Sequence, residues 1–163
     1  MRATHNISTR ILGIDPGYDR CGVAVIEQEG NKDILLWSSC ITPPKGDLDV
    51  RFLEIGKTIE SIIHEWNPSI LSCEKIFFTK NQKTGIAVAE LRGIIRFLAA
   101  LHALTFLEFT PQEIKRAVTG YGNADKQQVS TMVRALLKMN SEHRHDDEYD
   151  AIAVALTTRP LMR

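Results

Sequence analysis

Four acidic residues, Asp15, Glu74, Asp147 and Asp150, have the type and placement to hold divalent cations. Asp15 follows the apolar run ILGI and precedes Pro16 and Gly17, so it stands at the end of a strand where the chain must turn. Glu74 closes the apolar ILSC run, where a charge is costly unless it is paired or bound to a metal. Asp147 and Asp150 are three residues apart at the start of the last helical stretch, which places both on one side of its first turn. Each acid has an ordinary alternative. Asp commonly begins turns, Glu at a sheet edge can pair with a base, and acids suit helix N-termini through the macrodipole. Brought together, however, the four repel one another and require a cation to offset them. Two Mg²⁺ ions about 3.5–4 Å apart would do so while activating water and stabilising a leaving oxygen. Hard oxygen donors without neighbouring Cys or paired His favour Mg²⁺ over zinc, with Mn²⁺ as a substitute. His143 and His145 precede the last two acids and either assist proton transfer or are simply solvated.

The elements that must position these acids are legible in the apolar spacing. The run ending at Asp15, a second from Gly22 to Ile26 and a third from Ile34 to Ile41, with a polar turn around Gly30 and Asn31, predict an antiparallel meander. Leu48, Phe52, Ile55, Ile59, Ile62, Ile63 and Trp66 recur at helical spacing and stop at Asn67 and Pro68. Ile70 to Glu74 is a short strand, about Gly85 to His102 a long helix, and Leu104 to Phe109 another strand. Thr110 and Pro111 form an N-cap and first-turn pair for a helix over Gln112 to Val118. Further helices are expected over Lys126 to Met139 and from about Asp147 to Thr158. This order fits an α/β fold with a mixed sheet of about five strands flanked by helices. In open sheets of that kind sites gather at the carboxyl ends of strands, where Asp15 and Glu74 both fall.

At 163 residues the chain is expected to form one domain over 1–163, with residues 1–9 as a flexible extension. Its formal net charge is zero, yet from Glu74 to Lys138 ten Lys and Arg stand against five Asp and Glu, so that half is able to face phosphates. Cys21, Cys40 and Cys73 lack the paired spacing of zinc or redox motifs and read as reduced, mostly buried thiols. No apolar run approaches the roughly 20 residues that span a bilayer, and the start MRATHNIST lacks the apolar core of a secretory signal, so the expected location is the cytoplasm, away from membranes.

Four ordered blocks, ILGIDPG, CEKIFFTKN, GYGNADKQQV and DEYDAIAVA, resemble the RuvC family of Holliday-junction resolvases over nearly the whole chain. The resemblance implies a ribonuclease-H-like fold and a homodimer that cuts two opposed strands of a four-way DNA junction with Mg²⁺. It implies products bearing a 5′-phosphate and a 3′-hydroxyl, and a branch-migration motor as partner. Matched by motif, the catalytic and metal-holding acids are Asp15, Glu74, Asp147 and Asp150. Asp146 and Glu148 compete for the third place, and the three-residue spacing to Asp150 selects Asp147. The family's junction-inserting aromatic matches Phe77, which is otherwise a core phenylalanine, and its DNA-contacting lysines match Lys115 and Lys126. Lys80, Lys83 and Arg92 join them as neighbours in a basic setting. The wording DRCGVAVI after the first acid and the neutral charge depart from the family's usual pattern, but no catalytic acid is missing.

Two other readings use the same features. A sugar-kinase-like or actin-like ATPase also begins with a strand, an acid and glycines, but needs two such domains and a second phosphate loop that the chain lacks. A junction-binding scaffold without nuclease activity would not need acids at all four positions.

Overall fold

The computed structural model describes residues 8–75, 82–140 and 144–159. Three strands open the fold: β1 (Thr9–Asp15), β2 (Cys21–Glu29) and β3 (Lys32–Ile41). They form an antiparallel meander whose second turn closes in two residues, between paired Glu29 and Lys32. Gly30 takes φ 59° there, the left-handed backbone that a tight hairpin turn demands of its first residue. The chain then alternates through α1 (Leu48–Trp66), β4 (Ile70–Glu74), α2 (Gln82–Leu101) and β5 (Thr105–Phe109). It ends in α3 (Pro111–Thr119), α4 (Lys126–Leu136) and α5 (Asp146–Thr157). The sheet order is β3-β2-β1-β4-β5, with β4 parallel to β1 and β5 parallel to β4. This is the mixed five-stranded α/β sheet that the apolar spacing predicts.

Side chains alternate across the sheet, and each face has its own core. On one face Leu12, Ile14, Val23, Val25, Leu71 and Cys73 pack against Ile55, Ile59, Ile62 and Ile63 of α1 and Leu91, Ile95, Leu98 and Ala99 of α2. On the other, Ile11, Ala24, Ile26, Ile70 and Phe109 meet α3, α4 and the apolar length of α5. Helix α5 is buried along its body, from Ala151 to Thr157, as expected of a helix apolar all round. It lies unusually close to β1 and β2. A Cβ built on Gly13 would fall 2.4 Å from the Ala151 carbonyl oxygen and 2.7 Å from the Ala155 Cβ. One built on Gly22 would fall 2.0 Å from the Asp147 carbonyl oxygen. Two glycines facing a run of alanines therefore set the distance between this helix and the sheet.

Most predicted boundaries hold within a few residues, and three shift. Thr9 already pairs with Gln28 in β1 and the Ser8 hydroxyl reaches Glu27, so the expected extension over residues 1–9 excludes these two. Helix α2 begins at Gln82, ahead of the predicted Gly85. Helix α4 stops at Leu136 although the apolar pattern runs on to Met139, because Lys138 turns into the left-handed region at φ 50°. Leu137 and Met139 still pack on the core, from the turn rather than from the helix.

Candidate active site

The alternation of the sheet decides where the first two acids point. In β1, Ile11 and Gly13 face α5, so Asp15, two residues on, belongs to the same row. In β4, Ile70 faces α5 while Leu71 and Cys73 face the other core, which directs Glu74 to the α5 side as well. The strands are parallel neighbours with Ile14 opposite Cys73, so the two carboxylates end adjacent strands at the same edge. Asp15 pairs across β2 with Gly22, and the missing side chain of Gly22 admits the first turn of α5 with Asp147. Asp150 follows one turn later. Strand ends and helix start thus bring together all four acids picked out by the sequence.

Their electrostatics record that convergence. Burial, and then the charges of Glu74, Asp150 and Asp147, push the Asp15 carboxyl up to about 7, with Lys126 offsetting only part. Burial likewise raises Glu74, and the Asp150 charge adds to it against Lys115 and Lys126. Burial is also the largest influence on Asp150, which stays raised although Lys126 bonds to it and opposes the shift. Partly desolvated carboxylates held in one cleft against mutual repulsion are what a hard divalent cation stabilises, so this donor set fits Mg²⁺ or Mn²⁺.

Cations border the cluster. Lys126 Nζ lies 3.1 Å from Asp150 Oδ2, and this bond together with the neighbouring acids raises the lysine although burial works against it. The position of Lys126 is fixed by the start of α4, where Asp125 accepts from the Gln128 N–H and Gln128 answers to the Asp125 N–H. Lys115 of α3 shares with Glu74, Lys126 and Asp150 the lining of a cleft of about 220 Å³. Lys115 and Lys126 are therefore both at the acids. Arg92 is not: its guanidinium pairs with Glu108, which stands opposite Cys73 on the sheet face away from α5. Its basic setting in the sequence does not bring it to the acids, because α2 covers the other core. Phe77, Lys80 and His143, and the side chain of Lys83, lie outside the described residues. His145 is exposed at the N-cap of α5, where its backbone N–H donates to Glu148 Oε1 at 3.2 Å.

Arg20, Cys40, Ser38 and Arg144 escaped the sequence reading. Arg20 Nη2 lies 3.0 Å from Asp147 Oδ2, and Cys40 Sγ donates to the same oxygen at 3.8 Å. The row Asp15, Gly22, Cys40 across three strands carries the signal for Cys40, which is half-buried rather than a core thiol like Cys21 and Cys73. Glu148 is buried and accepts from Ser38 Oγ at 2.7 Å, and Arg144 Nη1 donates to the same Ser38 oxygen at 2.6 Å. This network turns Glu148 away from the acids and pins the start of α5 to β3, while Asp146 is exposed beside Arg134. Of the three consecutive acids, Asp147 is the one that the fold directs to Asp15.

Comparison with known proteins agrees with this geometry. The profile of the family described as crossover junction endodeoxyribonuclease RuvC matches residues 11–158. The RuvC of Halothermothrix orenii is 42% identical over 147 residues, spanning 90% of this chain and 89% of that protein. That of Moorella thermoacetica is also 42% identical over 147 residues, spanning 90% and 88%. Among solved structures, T. thermophilus RuvC in complex with a Holliday junction substrate superposes with a TM-score of 0.88 at 27% identity, covering 95% of each chain. The fowlpox virus resolvase, at 13% identity and a TM-score of 0.64, shares the fold. Acids converging at the ends of β1 and β4, a profile covering the body of the chain and relatives above 40% identity agree, and the chain belongs to the crossover junction endodeoxyribonuclease RuvC family.

Proposed function

We propose that this chain is a structure-selective endonuclease that resolves four-way DNA junctions by paired, Mg²⁺-dependent hydrolysis of phosphodiester bonds in recombination and repair. The observation that carries it is the convergence of Asp15, Glu74, Asp147 and Asp150 from β1, β4 and α5 into one partly desolvated cluster. These four carboxylates hold the divalent ions. Bound there, the ions supply Lewis acidity toward the phosphate and lower the pKa of the attacking water. Lys126 and Lys115, at the rim of the same cleft, draw the scissile phosphate toward the acids and offset its charge. Arg20 holds the Asp147 carboxylate in place, and the Ser38, Glu148 and Arg144 network holds the helix that carries it. Phe77 is assigned to the junction by its match to the family motif, and Lys80 by its basic setting beside it. The products are ligatable nicks with a 5′-phosphate and a 3′-hydroxyl.

A junction with two-fold pseudo-symmetry calls for two copies of the site. We assign the contact with a second copy of this chain to the outer side of α1 and α2, where Val50, Leu53, Ile86, Phe97 and Leu101 are each exposed. By likeness to the family, the dimer works with a branch-migration motor that delivers the junction. We assign it to the cytoplasm, and among the described residues no helix is long and apolar enough to cross a membrane. Incubation of the purified protein with a synthetic four-way junction, against linear duplex as control, tests the reading. Symmetric nicks in the junction that require Mg²⁺ are expected. Equal cutting of duplex, or cutting in the presence of a chelator, would refute it.

A further inference from the structure

A second group of metal-ligating side chains lies far from the acids along every element that carries it. Glu60 and His64 are four residues apart on α1, the spacing that stacks two side chains on one helix face. His102 follows the last residue of α2, where its backbone N–H still bonds to Leu98. Ala103, at φ 55°, then turns the chain away toward β5. One ligand atom from each of the three side chains lies within 4.8 Å of the others. The rings of His64 and His102 meet edge to face with centroids 4.8 Å apart, and His102 Nε2 is 3.2 Å from Glu60 Oε1.

The topology fixes where this group sits. Strands β1 and β4 end at the acids, and α1 and α2 both start from that edge of the sheet and run back along it. The second half of α1 and the end of α2 therefore lie at the opposite edge, where β4 and β5 begin. Nothing in the hydrolysis described above uses Glu60, His64 or His102.

We propose that Glu60, His64 and His102 form a binding site for a transition-metal dication such as Zn²⁺, which clamps the end of α1 to the end of α2. Two imidazole nitrogens and one carboxylate oxygen are a three-ligand zinc set, with the fourth position left to water because the site is partly exposed. Nitrogen donors discriminate against Mg²⁺, so this site and the acid cluster select different ions. The carboxylate of Glu60 only accepts, so His102 Nε2 carries the proton between them in the metal-free protein; coordination at Nε2 takes the other neutral tautomer, in which solvent has moved that proton to Nδ1. Metal–ligand distances of about 2.0–2.2 Å require only side-chain adjustment from the observed spacing, since Glu60 and His64 share one face of α1 and His102 directly follows α2.

The test is titration of the full-length protein with Zn²⁺ by calorimetry, with Mg²⁺ in excess to occupy the acids, alongside thermal unfolding with and without Zn²⁺. We expect one Zn²⁺ per chain and a higher unfolding midpoint. His64→Ala and His102→Ala should each weaken binding by at least about tenfold and remove the thermal shift. Junction cleavage in Mg²⁺ should be unchanged in both. His64 is an exposed helix position where Ala is readily accommodated, so that variant remains informative if His102→Ala folds poorly. Absence of saturable Zn²⁺ binding would show a Glu60–His102 hydrogen bond beside a stacked histidine and nothing more. Binding unchanged by His64→Ala would place the metal elsewhere. Either result overturns the proposal, and neither touches the assignment of the nuclease site.

Discussion

Replacing Asp15 with Asn should abolish cleavage and, in the absence of divalent ions, make the protein more stable at alkaline pH. The folded-state pKa of about 7 lies some three units above the ordinary aspartate value, because ionisation in the cleft must overcome burial and three neighbouring carboxylates. A raised carboxyl pKa means that, between about pH 4 and 7, the folded protein keeps a proton that the unfolded chain has already released. Stability therefore falls as pH rises through that window and is level above it. At 1.36 kcal/mol per unit the ceiling is about 4 kcal/mol, and water entering the open cleft reduces it to about 1–3 kcal/mol. Asn carries no charge at any pH, so the variant should gain that amount at pH 8 and only about a third of it at pH 5. Urea unfolding in chelator at both values measures the difference. Mg²⁺ should narrow the gap, since binding at ten times the Kd stabilises the wild type by about 1.4 kcal/mol and the variant by less. An Asp15→Asn protein that is less stable than the wild type at pH 8, or equally shifted at pH 5 and pH 8, would refute the claim that these acids repel one another in one site.

Three further outcomes follow from the same geometry. Lys126→Ala should weaken junction binding and reduce the slope of log affinity against log salt by about 0.9, the share of one phosphate contact. An unchanged slope in fluorescence anisotropy would remove this lysine from the interface. Gly13→Ala places a methyl against the backbone of α5, so it should destabilise the fold by about 1–3 kcal/mol and slow cleavage by displacing Asp147 and Asp150. Wild-type single-turnover rates in that variant would show that the close approach of α5 is not needed. Phe97→Asp should give a monomer by light scattering and single nicks instead of paired ones, and a stable dimer would move the interface away from this face of α2.

The architecture was legible because it rests on short-range periodicity. The isoleucines of α1 recur at helical spacing along its buried face, and helix α1 and strand β4 fall where the apolar pattern places them, at Leu48–Trp66 and Ile70–Glu74. Charge at the end of an apolar strand is costly, which marks Glu74 by its place in the chain, while Asp15 at its turn had an ordinary alternative and was selected with the others by the resemblance of the motifs. What stayed hidden depends on sheet register and on which face a helix covers. Arg92 reads as one more base in a basic stretch, but α2 covers the face away from α5, where Glu108 takes its charge. Cys40 reads as one more thiol, but strand pairing aligns it with Gly22 and Asp15. Ser38, Glu148 and Arg144 meet across more than 100 residues of chain, a separation that no local pattern reports. Choosing Asp147 from three adjacent acids needed only the three-residue spacing, because the helical turn that makes Asp147 and Asp150 neighbours is itself local.

The most direct measurement is anomalous scattering from crystals of the protein soaked in Mn²⁺. Density enclosed by the carboxylates of Asp15, Glu74, Asp147 and Asp150, lost in Asp15→Asn crystals, is the predicted result. Mn²⁺ bound away from these four side chains, with the cleft among them left to water, would contradict the account.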